Sequence, residues 1–182
     1  AAGLLITGAF HEDGLADTFD GIGGGHTRES ALEIMRDSRL GTYGTAALVA
    51  ALALKTATLT ALPSHMLPIA FPAAHGLSRL SSVLTIATSR YVRAEGTGKP
   101  VARGLSLPSL LIASVTGAAI CLAWIYLLPA APLLFGIAGL AIGHVAMRAF
   151  FKFKLHGYTG DTLGAVQQAS EIGFYLGLLA WL

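Results

Sequence analysis

The chain has 182 residues, of which 54% are hydrophobic and only 12% charged, with a mean hydropathy of +0.66 that a water-soluble surface would not tolerate. A formal net charge of +2 and the absence of any stripe of interleaved basic and aromatic residues exclude nucleic acid as a partner. The single cysteine, Cys121, excludes an internal disulfide and a multi-cysteine metal site. The solvent this composition suits is a lipid bilayer, and the length suits a single domain covering residues 1–182.

In chain order, residues 1–10 are apolar and lack both a starting methionine and a basic flank. They are expected to be the tail of a helix in a chain whose N-terminal segment is missing, rather than a signal peptide. Apolar runs follow at 44–62, interrupted by Lys55, at 66–89, carrying Arg79, at 106–128 and 132–147, both uncharged, and at 160–182, polar only in its first half. A bilayer requires about 20 apolar residues per spanning helix and internal satisfaction of every backbone group. The expected architecture is therefore all-α, a polytopic integral membrane helix bundle with about five to six spans.

The connections are of two kinds. Those at 62–65 and 128–132 are short, marked by proline and free of Lys, Arg, Asp and Glu. Those at 11–41, 90–104 and 148–161 are long and charged, and two spans separate each from the next, so all three are expected on the same side. Ten of the twelve Lys and Arg residues lie in or beside them, which makes that side cytoplasmic by the positive-inside tendency.

The first charged connection contains His11-Glu12-Asp13-Gly14-Leu15-Ala16-Asp17-Thr18-Phe19-Asp20-Gly21. On a helix, Asp13, Asp17 and Asp20 share one face, and three carboxylates so placed repel one another unless a cation or a proton joins them. Mg²⁺, which combines a few carboxylates with the phosphate oxygens of a substrate, suits such a face. Further along, Asp37 is a candidate ligand, and Arg36 or Arg39 a candidate for binding phosphate through a planar guanidinium. Glu29 and Glu33 read as surface charges on an amphipathic helix. Beyond the last charged connection, Asp161, Gln168, Glu171 and Tyr175 fall within an arc of about 80° and should turn inward from lipid. Lys55 reads as a packing or snorkelling residue. His26, His65, His75 and His144 have no partner at metal-ligand spacing.

Four blocks carry a resemblance: Thr7-Gly8-Ala9-Phe10-His11-Glu12-Asp13-Gly14-Leu15-Ala16-Asp17-Thr18-Phe19-Asp20-Gly21; Glu33-Ile34-Met35-Arg36-Asp37-Ser38-Arg39-Leu40-Gly41-Thr42-Tyr43-Gly44; Arg93-Ala94-Glu95-Gly96-Thr97-Gly98; and Gly157-Tyr158-Thr159-Gly160-Asp161-Thr162-Leu163-Gly164-Ala165. In this order they resemble the cobalamin synthase family, adenosylcobinamide-GDP ribazoletransferase. His156 departs from the pattern, standing where another glycine is expected.

The resemblance implies a bacterial inner (plasma) membrane enzyme that joins adenosylcobinamide-GDP to α-ribazole or its 5′-phosphate, releases GMP and requires Mg²⁺. It implies metal ligands among Asp13, Asp17, Asp20, Asp37 and Asp161, and phosphate contacts from Arg36, Arg39, Arg90 and Arg93. His11 is a candidate base on its ordinary pKa, provided the helix starts after it, with a carboxylate as the alternative. The substrates and the bilayer are the expected partners, and a homo-oligomer is compatible with the sequence. Two other readings put carboxylates beside spanning helices: a transferase for another nucleotide-diphosphate alcohol or prenyl diphosphate, and a cation transporter, which would carry acidic residues at mid-membrane depth.

Overall fold

A computed structural model describes residues 2–93 and 105–182. Eight helices occupy the described residues: α1 (Ala2–Thr7), α2 (Phe10–Gly24), α3 (Arg28–Ile34), α4 (Thr42–Ala61), α5 (Leu67–Thr88), α6 (Leu107–Leu127), α7 (Ala130–Leu155) and α8 (Gly160–Trp181). There is no strand among them, only a single bridge between Tyr91 and Tyr158. The all-α bundle expected from the sequence is the observed fold, with the five apolar runs forming α4 to α8.

Three of these helices, α4, α6 and α7, are long and apolar enough to cross a membrane by length and composition. They leave large apolar side chains such as Val49, Ile112, Val115, Leu122 and Ile142 uncovered, as lipid-facing surfaces do. The other two long helices differ because their polar residues are turned inward. In α8, Gln167, Gln168, Ser170 and Glu171 are buried, and in α5 Ser78, Ser81 and Thr85 are buried. Hydroxyls that face outward are satisfied within their own helix, as where Thr56 and Thr60 donate to the carbonyls of Leu52 and Thr56.

Helices α7 and α8 pack backbone to backbone. A side chain at Gly139 would meet the backbone of Gly173, and one at Gly143 would meet that of Ala169. The reciprocal glycines Gly173 and Gly177 face Gly139 and Phe135. Small residues let helices approach where lipid supplies no hydrophobic drive for association.

The turn from α7 into α8 accounts for the departure at His156. This residue closes α7 in the left-handed conformation, with φ 58°, while its N–H reaches the carbonyl of Lys152. Glycine adopts that conformation without the steric cost an L side chain incurs. Replacing His156 with glycine should stabilise the protein by about 0.5–1 kcal/mol, read as a higher midpoint of thermal unfolding in detergent; an unchanged or lower midpoint would contradict this account of the turn.

Candidate active site at the junction of α2 and α8

The site is set by how closely α2 and α8 approach. A Cβ on Gly14 would lie 2.7 Å from the carbonyl oxygen of Asp161, and one on Gly164 would lie 2.9 Å from that of His11. No side chain fits between the two helices at this level, which explains these glycines of the first and last blocks. The start of α8 is rigid in itself. Thr159 accepts from the N–H of Thr162 while the Thr162 hydroxyl accepts from the N–H of Thr159, a reciprocal cap that leaves Asp161 in the first turn.

Three connections converge on this end of the bundle. The N–H of Val92 donates to the carbonyl of Tyr158, and the N–H of Tyr158 donates to that of Arg90. Gly157 permits this pairing, since any Cβ there would strike the Arg90 carbonyl and Val92. Lys154 donates to the carbonyls of Ile22 and Gly25 at 2.6 and 2.5 Å, capping the C-terminal end of α2 with a positive charge. Arg93 donates to the carbonyl of Met35 at 3.2 Å and pairs with Asp161 at 2.6 Å. The shared side expected from counting spans is thus a set of direct contacts.

Within this junction Asp13, Asp17 and Asp161 act on one another electrostatically, with Arg93 the counter-charge. Asp13 is exposed; Asp17 and Asp161 are half-buried. Loss of water and then the negative charges of Asp13 and Asp161 push the Asp17 carboxyl up to about 7. Among the described residues no three His, Cys, Asp or Glu side chains converge closely enough to hold an ion unaided. The donor set still suits Mg²⁺, which takes one or two carboxylates and completes its shell with water and substrate phosphate. A cation is also what the mutual repulsion at Asp17 lacks.

The remaining candidates are placed elsewhere. Asp20 is buried, and its two oxygens accept from the N–H groups of Gly41 and Gly44 at 2.7 and 2.8 Å. It caps α4, satisfying donors that a helix start leaves open. Asp37 and Arg39 form a forked pair with each other at the surface, with Arg39 Nε 3.0 Å from both carboxylate oxygens. The Arg39 hydrogen bonds hold the Asp37 carboxyl down to about 2. Arg36 and Arg90 are exposed. Helix α2 begins at Phe10, before His11, so the condition for His11 to serve the Asp face is not met; its charged neighbours are Arg79, Glu12, Glu171 and Lys55. Of the third block, only Arg93 falls within the described residues. The sequence shows no role for Lys154 and does not show that Lys55 pairs with Glu171 and Glu12; the signals for that cluster are a lone lysine in an apolar run and the inward-turned Gln168 and Glu171.

The sequence pattern of the family described as cobalamin-5-phosphate synthase matches residues 1–179. The chain belongs to that family. It is 44% identical to the adenosylcobinamide-GDP ribazoletransferase of Ralstonia pickettii over 183 residues, covering 100% of this chain and 70% of that protein. It is 45% identical to the enzymes of the same name from Shewanella halifaxensis, over 97% of this chain and 68% of the relative, and Shewanella frigidimarina, over 98% and 69%. No solved structure matches.

Two outcomes follow from this geometry. Asp20→Ala strips the buried N–H of Gly44 and the part-buried N–H of Gly41 of their acceptor and should cost about 1–3 kcal/mol of stability; a loss under half a kcal/mol would show that Asp20 is not the cap. For Asp17, a folded pKa above the ordinary value of 3.8 means that the folded state binds more protons than the unfolded state between pH 3.8 and about 7. Stability therefore falls as pH rises through that window. In EDTA, Asp17→Asn should raise the unfolding midpoint at pH 8 and leave it nearly unchanged at pH 4; an equal effect at both would contradict the raised pKa.

Proposed function

We propose that this chain is the membrane transferase that joins adenosylcobinamide-GDP to α-ribazole, or to α-ribazole 5′-phosphate, giving adenosylcobalamin or its 5′-phosphate and releasing GMP. The observation that carries this reading is the meeting of Asp13, Asp17, Asp161 and Arg93 on one end of the bundle in a chain of the cobalamin-5-phosphate synthase family. The reaction cleaves a diphosphate, so the site must bind phosphate oxygens and tolerate the charge of departing GMP. Mg²⁺, bound there, would supply that neutralisation.

The chain's own residues divide the work. Asp13 and Asp17 would hold the ion from α2, and Asp161 from the first turn of α8. Arg93 fixes the Asp161 carboxylate through their 2.6 Å pair and brings a positive charge to the phosphate side. Arg36 and Arg90, exposed and unburdened by burial, extend that charge along the rim. Asp20 serves by anchoring α4 to α2, and Asp37 with Arg39 forms a separate surface pair. The proton of the attacking ribazole hydroxyl passes to a carboxylate on the Asp13 and Asp17 face, because His11 lies on another face of α2. The bilayer is the bacterial inner membrane, with this end of the bundle in the cytoplasm.

Purified protein given adenosylcobinamide-GDP, α-ribazole and Mg²⁺ should release GMP, and EDTA should abolish the release. Asp17→Asn and Asp161→Asn should each lower the rate by about 10²-fold or more with the fold intact. Failure of the wild-type protein to release GMP, or full activity of Asp17→Asn, would overturn the assignment. Turnover of a prenyl diphosphate or another nucleotide-diphosphate alcohol in place of the corrinoid donor would favour a different transferase.

A further inference from the structure

A second ionic cluster joins Lys55, which the sequence suggests is a packing or snorkelling residue, to the inward-turned stripe of α8. Lys55 is thirteen residues past the start of α4 at Thr42, about 20 Å along the helix. Its Nζ is 3.0 Å from Glu171 Oε1 of α8 and 3.9 Å from Glu12 Oε1 of α2, and all three side chains are largely buried.

Two glutamines complete a ring. Gln168 Nε2 donates to Glu12 Oε1 at 3.0 Å and to Gln167 Oε1 at 2.9 Å. Gln167 Nε2 donates to Glu171 Oε2 at 2.7 Å and to Ser78 of α5 at 2.9 Å. His75 of α5 approaches the same Glu171 carboxylate at 3.7 Å. The second oxygen of Glu12 is buried and has no hydrogen-bond partner among the described residues. Its carboxylate therefore depends on Lys55 and Gln168, and an apolar interior makes the loss of either strongly unfavourable.

Sliding or rotating α2 by a single residue would take Glu12 away from Lys55 and Gln168, its partners among the described residues. Asp13 is the residue after Glu12, and Asp17 lies one turn further on the same helix. Asp161 precedes Gln168 by seven residues on α8, about two turns. The helix pair that the ring locks is the pair that carries the carboxylates at the surface.

We propose that Lys55 is a positioning residue for the transfer reaction: by closing the ring through Glu171 and Glu12 it sets the register of α2 on α8, and so the spacing of Asp13 and Asp17 from Asp161. This rests on the transferase reading above. The lysine touches neither substrate nor metal, and acts through the helices that do.

The test uses the full chain, with GMP release measured per folded molecule across a Mg²⁺ titration and Mn²⁺ binding measured separately by electron paramagnetic resonance. Lys55→Met should lower kcat about tenfold or more and raise the Mg²⁺ concentration for half-maximal rate at least fivefold, with a matching loss of Mn²⁺ affinity. Lys55→Arg should restore each to within about threefold. Should Lys55→Met fail to fold, Gln168→Met breaks the ring at a neutral link, leaves Lys55 paired with Glu171, and should move the same quantities in the same direction. A lower unfolding midpoint with unchanged kcat, Mg²⁺ dependence and Mn²⁺ affinity would make the ring structural only and overturn the proposal. Wild-type protein that neither releases GMP nor binds Mn²⁺ would instead overturn the transferase reading, and this inference with it.

Discussion

Two helix backbones in contact at Gly14 and Gly164 are the constraint on which the site depends. Because no side chain intervenes, the acidic face of α2 and the capped first turn of α8 cannot drift apart without opening a void that nothing nearby would fill. The contact also explains why carboxylates from residues nearly 150 positions apart repel one another. Asp17, already beside Asp13 on its own helix, is held against the Asp161 charge, which it would avoid if α2 were free. That electrostatic frustration, and not any single residue, supports the proposed binding of a cation and a phosphate at the junction.

Charge in this molecule is sorted by depth. At the surface, Asp37 pairs with the exposed Arg39, where such a pair contributes little. At the rim, Arg93 and Asp161 are partly shielded and tie an otherwise independent connection to the start of α8. Within the bundle, Lys55, Glu12 and Glu171 are bound into a ring that includes both glutamines. Each step inward makes an unpaired charge more costly, and geometry correspondingly more fixed. The middle layer is left with the net negative charge, at the depth where a polar substrate can still arrive.

Much of this was legible in the sequence. Apolar run lengths located α4 to α8 because lipid imposes a minimum helix length, and counting them put the three charged connections on one side. The inward turn of Gln168, Glu171 and Tyr175 followed from helical spacing, and all three are buried. What was not legible depended on pairings between distant segments. Asp20 has the same spacing from Asp17 that a ligand would have, yet Gly41 and Gly44 take both its oxygens, and periodicity carries no information about that partner. His11 could be placed off the Asp face, but not beside the ring. Lys55 read as a packing or snorkelling residue with no named partner, because Glu171 and Glu12 are contributed by two other helices. His156 was visible as a departure from pattern, while its cause, a left-handed turn, is a backbone property.

The proposed site, built jointly from α2 and the start of α8, is tested most directly by an experimental structure of the protein with Mn²⁺ and a nucleoside diphosphate, the metal located by anomalous scattering. A metal peak is expected within coordination distance of Asp13 or Asp17, with Asp161 and Arg93 facing the same diphosphate. A metal bound instead at Asp37, or at Asp20 with α4 released from its cap, would contradict it.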